Sequence, residues 1–244
     1  MSEFACDALK VPAYYKVDQR TAANIRRTGF TCLKIAEEAV IDPSSFSLEG
    51  SKSRQLRRVL RKAQTIDVQH SLPFMSHPVA DMRAVHDAWR STHHGEHRFS
   101  MGRFCPDHLS SQMVVLAYDK DRLVGFMTFH VGAKEWTLDL VRITNTAPSG
   151  TAQLLITNAI EAAKSDAIRR LSLAAAPIDP VAHLSNSQRI IGHYQDHGLR
   201  RFKAAFDPRW EPLYMLAPNR FHLTFCALCL LVAIKSPNQS SRTS

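Results

Sequence analysis

The amino-acid sequence predicts an α+β fold, a mixed sheet flanked by helices, and three observations carry that prediction. From residue 66 onward, short alternating or continuous apolar runs interchange with stretches whose apolar residues recur every three or four positions. A chain of 244 residues with 45% hydrophobic and 22% charged residues has globular composition and is long enough to bury a sizeable core. Its longest apolar run, near the C-terminus, falls short of the roughly 20 residues that a membrane-spanning helix needs.

Taken in order, residues 18–28 read as a helix ended by Gly29 in the position of a C-cap, followed by a strand from Phe30 to Ile35. Between Ser51 and Thr65, Leu56, Val59, Leu60 and Ala63 recur at helical spacing while Lys52, Arg54, Arg57, Arg58, Arg61 and Lys62 fill the remaining surface without one acid. Such a run is either a solvated face or a phosphate contact. Next come a strand Ile66 to Leu72, a helix Pro78 to Thr92 and a strand Met113 to Tyr118. A turn at Asp119 to Asp121 leads into strands Leu123 to Val131 and Trp136 to Ile143. A helix from Gly150 to Lys164 precedes a strand Ile168 to Ala174. A helix Gln188 to Asp196 and strands Leu199 to Phe206 and Leu213 to Leu216 complete the pattern. Hairpin strands followed by helix, strand, helix and strand describe the acetyltransferase-like (GNAT) architecture. The apolar segment FHLTFCALCLLVAI reads as a terminal helix that covers a sheet or lies on a membrane surface, and the polar tail SPNQSSRTS as disordered.

Lys and Arg number 31 against 22 acids, a formal charge of +9, which biases the surface toward nucleic acid or anionic lipid without choosing between them. Five cysteines, at 6, 32, 105, 226 and 229, are an odd number in a chain too large to need staples, so a reducing compartment is expected. Cys226 and Cys229 form a CxxC inside an apolar run, which reads as two buried thiols on a helix rather than half of a zinc site. The start MSEFACDALK is not an export signal, and the expected location is the cytoplasm.

An acetyltransferase of this architecture grips the pyrophosphate of coenzyme A with backbone N–H groups at a strand-to-helix junction. Here that junction reads RITNTAPSGTAQLL, with Gly150 as its single glycine and Pro148 removing a donor, which weakens a coenzyme A reading. No GxSxG, HExxH, Walker-type loop or GxGxxG occurs, and His93, His94 and His97 sit in a polar loop, so no metal site is expected. In WTLDLVRI, Asp139 and Arg142 interrupt an apolar strand. Three apart, they face opposite sides unless a bulge intervenes, and each needs a partner or a place at a cleft. In HGLRRFKAAFDPRW, Arg200, Arg201, Lys203 and Arg209 interleave with Phe202, Phe206 and Trp210, a pattern that suits a phosphate-bearing ligand against an apolar wall, or a half-exposed strand.

At these residues the sequence resembles the synthase domain of the multiple peptide resistance factor family, the phosphatidylglycerol lysyl- and alanyl-transferases. The matching strings run in the family's order: KIAEEAVIDPSSFSLEGSKSRQLRRVLRKA, FSMGRF, LDLVR and HGLRRFKAAFDPRWEPLYMLAP. The resemblance implies two GNAT-like subdomains in tandem, with aminoacyl-tRNA and lipid entering a shared tunnel from opposite sides. Residues 1–64 then correspond to a truncated first subdomain with its basic linking helix and 65–220 to the second, catalytic one. Residues 221–235 form an apolar helix and 236–244 a disordered tail. Carried over residue by residue, Asp139 and Arg142 match the family's DLMR-type site and Lys203 the lysine of its GLRxFK stretch, which makes these three the expected catalytic residues.

The implied reaction is attack of a phosphatidylglycerol hydroxyl on the aminoacyl ester of tRNA, with no further cofactor. Asp139 serves as general base, polariser or ammonium anchor, and Arg142 and Lys203 stabilise phosphate or the oxyanion. Arg103, Arg200, Arg201, Arg209, Arg54, Arg57, Arg58 and Arg61 are the expected contacts for tRNA or lipid phosphate. The implied location is the inner face of the plasma membrane, with lipid translocation left to a separate flippase. The chain departs from the family's pattern at Leu213, where EPRYL carries a cation, and at Ile191, where an acid is usual; near YNFQGLR it reads YQDHGLR. Lost polar groups at a site cost rate. A binding module without turnover and a different GNAT-like acyltransferase therefore remain alternatives.

Overall fold

The computed structural model describes residues 11–92, 102–176, 178 and 197–235. The expected helix Gln188 to Asp196, the histidines His93, His94 and His97, Ile191 and the tail 236–244 lie outside the described residues. The chain divides into two compact units. The first takes Met1–Ala39, Ala175–Ala204 and Arg209–Ser236, and the second Val40–Ala174, Ala205–Pro208 and Pro237–Ser244.

The second unit is built on five strands. Strand β3 (Ile66–Ser71), β4 (Gln112–Asp119), β5 (Arg122–Val131) and β6 (Glu135–Ile143) form an antiparallel run. Strand β7 (Arg170–Ala176) then pairs parallel to β6, giving the order β7-β6-β5-β4-β3. The parallel step requires a crossover, which α5 (Thr151–Ser165) supplies by burying Leu155, Ile156, Ala159, Ile160 and Ala163 at helical spacing. Helix α3 (Val79–Thr92) lays Met82, Val85, His86 and Trp89 inward at the same period, and packs on β5 and β6. Its core joins Met82 and Val85 to Phe104, Leu109, Val114, Leu116, Phe126 and Leu140. Leu109 comes from α4 (Pro106–Leu109), a single turn with Pro at its start that the sequence pattern does not signal. The basic stretch forms α2 (Arg54–Leu60) and a 3-10 turn, Arg61–Ala63, with Leu56 and Ala63 buried.

The first unit holds β1 (Tyr14–Val17), β8 (Arg209–Ala217) and most of β2 (Thr31–Ile41), in the order β1-β8-β2. Helix α1 (Gln19–Arg26) starts where Asp18 accepts the N–H groups of Arg20 and Thr21 at 2.8 and 3.0 Å, and ends before Gly29 at φ 92°. Ile35, Met215, Ala217 and Leu223 make its core, with Leu223 contributed by α7 (Arg220–Lys235). The expected mixed α+β architecture is therefore the one observed.

Two expectations are overturned. Residues Leu199 to Phe206 do not form a strand: α6 spans His197–Ala204. The interleaving of cations with aromatics mimics period two, but Leu199 and Phe202 are three apart and Lys203 four beyond Leu199, which is the helical period. The CxxC reading is also corrected, because Cys226 is half-buried on α7 while Cys229 is exposed. Cys32, Cys105, Cys226 and Cys229 are free thiols.

Candidate functional site

Strand β6 carries the central geometry. Leu138 pairs with Phe129 and Leu140 with Thr128, so two adjacent β5 residues oppose β6 residues two apart, and Asp139 is the extra residue of a β-bulge. The bulge removes the conflict of facing that a regular strand imposes on Asp139 and Arg142. Both reach the same glycine. A Cβ on Gly102 would lie 2.1 Å from Asp139 Oδ1, and Arg142 Nη2 donates to the Gly102 carbonyl at 3.2 Å. The parallel register of β6 with β7 runs from Glu135↔Arg170 to Thr137↔Ser172 and stops immediately before the bulge.

Asp139 keeps 19% of its side chain exposed, and Gln112 Nε2 donates to its Oδ2 at 2.8 Å. His130 Nε2 lies 3.7 Å from the same oxygen, and its own side chain is 61% exposed. Gln112 is buried and directly opposite His130 on β4 and β5, so the two are delivered to Asp139 by strand register.

Arg142 is 1% exposed. Its Nε donates to His86 Nδ1 at 3.3 Å, its Nη1 to the Val141 carbonyl at 3.0 Å, and its guanidinium lies 4.0 Å over the Trp89 ring. His86 is stacked between Trp89 and Phe104. A cation is tolerated at this depth because each face and edge named here meets an acceptor or a ring. Gly102 is thus held from two sides, by the Arg142 guanidinium on its carbonyl and by the Asp139 carboxylate against its Cα. Arg103, beside it, is exposed.

Lys203 belongs to the first unit, on α6. It is 4% exposed and its Nζ donates to the Ala175 carbonyl at 2.9 Å. Burial, reinforced by the charge of Lys16 and partly opposed by Glu38, brings its ammonium down to about 8. A lysine in that range can both give and take a proton near neutral pH. One turn earlier, Arg200 pairs with Glu37 at 2.6 Å and lies 4.1 Å over Trp210. Glu37 also accepts from Lys34 at 2.7 Å. Burial pushes the Glu37 carboxyl up, but the hydrogen bonds and charges of Lys34 and Arg200 outweigh it and hold it below the usual range. Arg201 is exposed, and Arg209 is engaged by Glu211 at 2.5 Å. Leu213, where a cation stands in the resembled pattern, is buried in β8.

The basic helix forms a third cluster, within the second unit. Ser51, Lys52, Arg54, Gln55, Arg58 and Arg61 line an open groove of about 640 Å³. Arg57 is not among them: its Nη1 donates to the carbonyls of Leu48 and Gly50, which ties down the loop ahead of the helix. Helix α5 begins against this element. A Cβ on Gly150, at φ 101°, would lie 2.5 Å from the Val59 carbonyl oxygen, so the residue ahead of α5 approaches α2 closely enough to require glycine. Among the described residues no group of three or more His, Cys, Asp or Glu is placed to hold a metal ion.

Sequence reasoning did not single out Gln112, His130, His86, Trp89 or Glu37. His86 and Trp89 follow Met82 and Val85 at helical spacing, which signals a buried His, but nothing local signals its partner 56 residues on. Gly102 was within reach, since FSMGRF places one glycine between residues that otherwise suit a strand.

The family model described as phosphatidylglycerol lysyltransferase, C-terminal, matches residues 1–217. A phosphatidylglycerol lysyltransferase of Staphylococcus xylosus is 25% identical over 244 residues, covering 92% of this chain and 29% of that protein. That of Bacillus subtilis (strain 168) is 27% identical over 224 residues, covering 83% and 26%. The chain thus spans less than a third of the length of these relatives. Among solved structures, the C-terminal domain described as that of a lysylphosphatidylglycerol synthetase from Agrobacterium fabrum superposes with a TM-score of 0.84 at 25% identity, covering 98% of this chain and 77% of that one. L-PGS from Bacillus licheniformis shares the fold, with a TM-score of 0.79 at 22% identity over 96% and 76%.

Proposed function

Because this chain belongs to the C-terminal family of phosphatidylglycerol lysyltransferases, we propose that it transfers an aminoacyl group from charged tRNA to a phosphatidylglycerol hydroxyl at the inner surface of the membrane. The observation that carries the reading is the bulge that turns Asp139 to the side of Arg142, with Gly102 pressed between them.

The reaction is a transesterification. The glycerol oxygen forms a bond to the aminoacyl carbonyl carbon, the bond to the tRNA ribose oxygen breaks, and the proton lost by the glycerol hydroxyl is balanced by one gained by the ribose oxygen. The ester is already activated, so position, a proton acceptor and stabilisation of the oxyanion supply the rate. Asp139 is the reachable acceptor, oriented by Gln112 and flanked by His130. Arg142, enclosed by His86, Trp89 and Gly102, acts as a positioning residue that holds the Gly102 backbone against Asp139. Lys203, buried on α6 with its ammonium brought down to about 8, can give or take a proton near neutral pH, and Lys203→Met tests whether transfer depends on it. The groove of Arg54, Arg58 and Arg61 takes tRNA phosphate.

The test is transfer of radiolabelled amino acid from mixed charged tRNA into phosphatidylglycerol vesicles, with Asp139→Ala alongside. Label in the lipid that disappears in the variant is the expected result, and it identifies the amino acid, with lysine first to be tried. An unlabelled lipid together with intact tRNA retention would sink the transferase and leave a binding module, a reading the buried Leu213 favours.

A further inference from the structure

Helix α7 begins at Arg220, just beyond residue 217 where the family match ends. Its sequence, RFHLTFCALCLLVAIK, contains no acid, and its two unambiguous cations, Arg220 and Lys235, stand at its ends. One stripe faces inward: Leu223, Cys226, Ala227 and Leu230 pack against Ile35, Met215 and Ala217. A surface helix ordinarily presents polar residues on its opposite face. Here that face is apolar as well. Phe221 is 76% exposed, Phe225 56%, Leu228 53% and Val232 65%, and their spacing of four, three and four residues makes one continuous stripe along the helix. Exposed apolar rows of this size mark an interaction surface rather than ordinary surface composition.

We infer that this outer stripe of α7 lies in the interfacial layer of an anionic phospholipid membrane and docks the chain there. Sixteen residues rise about 24 Å at ~1.5 Å each, too short to cross a bilayer, and no helix among the described residues is long and apolar enough to do so. A helix lying in the interface needs an apolar face and cations, and is repelled by acids; α7 has the first two and lacks the third. The same charge pattern disfavours a second copy of this chain as the occupant. Pairing α7 with itself, parallel or antiparallel, sets Arg220 and Lys235 against cations with no acid on either helix to meet them. The net charge of +9 adds attraction to an anionic surface. The inference deepens the proposed function, whose lipid substrate resides in such a surface, but vesicle docking needs neither tRNA nor turnover.

The experiment is flotation of the full chain, without tRNA, on phosphatidylcholine vesicles with and without phosphatidylglycerol. It compares the wild type with Phe221→Gln/Phe225→Gln/Leu228→Gln. These side chains are exposed, so the variant should keep its fold, checked by its thermal melt and its size in solution. The wild type is expected to float with the anionic vesicles, and the variant to bind at least about tenfold more weakly. Equal flotation of the two, no flotation of the wild type, or a wild-type dimer that the variant converts to monomer would each overturn the inference. Transfer to phosphatidylglycerol in detergent micelles separates the two proposals. For the wild type, no transfer with flotation intact strikes the proposed function alone, and transfer without flotation strikes this inference alone.

Discussion

At the scale of single residues, Asp139 is distinguished by what surrounds it rather than by its type. A carboxylate one-fifth exposed, holding a Gln112 donor and standing at a bulge, is positioned to accept a proton without first breaking an ion pair to an Arg or Lys among the described residues. Asp139→Asn keeps the shape and removes the acceptor. The expected loss in transfer is roughly a hundred- to a thousand-fold with little change in the melt, measured as single-turnover label transfer. Gly102→Ala tests the same contact from the other side. A methyl 2.1 Å from Asp139 Oδ1 and 2.8 Å from its Cγ must displace the carboxylate or the loop, at about 1–3 kcal/mol of stability and with loss of transfer. Unaltered transfer in that variant would mean that the close approach is incidental. Lys203 gives a pH signature. The unfolded chain holds this proton to about pH 10.5 and the folded chain only to about 8, so the unfolded state binds more protons in that window. Stability attributable to this group therefore rises between about pH 8 and 10.5, while below 8 the full cost of burying the charge persists. Lys203→Met should gain about 1–3 kcal/mol at pH 7 in urea unfolding, and the gain should shrink steadily above pH 8. A difference independent of pH would show that burial does not set this titration.

Elements differ in how far their sequences announce them. Strands β4 to β6, α3 and α5 were legible because their burial is written locally: β4 and β5 as continuous apolar runs, β6 as alternation, and the two helices as an apolar row every three or four residues. Helix α6 was not, because its few apolar residues share eight positions with three cations, and a short window admits both periods. Strand β1 has four half-buried residues held by pairing with β8 some 200 positions on, and no local pattern encodes such a pairing. The bulge is of the same kind: its need could be read from Asp139 and Arg142 in one strand, its place only from register with β5. The basic run of α2 was legible as a cluster, but its division of labour was not. Arg54, Arg58 and Arg61 line the groove, whereas Arg57 holds the carbonyls of Leu48 and Gly50. The expected consequences differ accordingly. Arg54→Glu/Arg58→Glu/Arg61→Glu should weaken tRNA binding and lower its salt slope by about three, as filter retention across a salt series would record. Arg57→Ala should instead cost about 1–2 kcal/mol in the melt and change the slope by less than one.

For the whole molecule, a long-range attraction and a contact force act on any encounter with a membrane, and they respond differently to salt. The net charge of +9 draws the chain to an anionic surface over a Debye length of about 10 Å at 0.1 M salt, which contracts to about 3 Å at 1 M. The outer stripe of α7 contributes by removing apolar surface from water, a contribution that salt does not screen. Retention on phosphatidylglycerol vesicles should therefore fall as salt rises and then level at a residual value, whereas retention of tRNA, which is carried by phosphate contacts, should fall without levelling. The two sets of variants divide these contributions. The α2 charge reversal should lower vesicle retention at low salt and leave the high-salt residue as it is, since Arg54, Arg58 and Arg61 are exposed and act through charge. The α7 triple variant should abolish the residue and keep the salt-sensitive part. Flotation of the three proteins across a salt series reads all of these at once. A high-salt remainder that survived in the α7 variant, or vanished with the arginines, would mean that the apolar stripe of α7 is not what holds this chain to the membrane at high salt and that it faces something else.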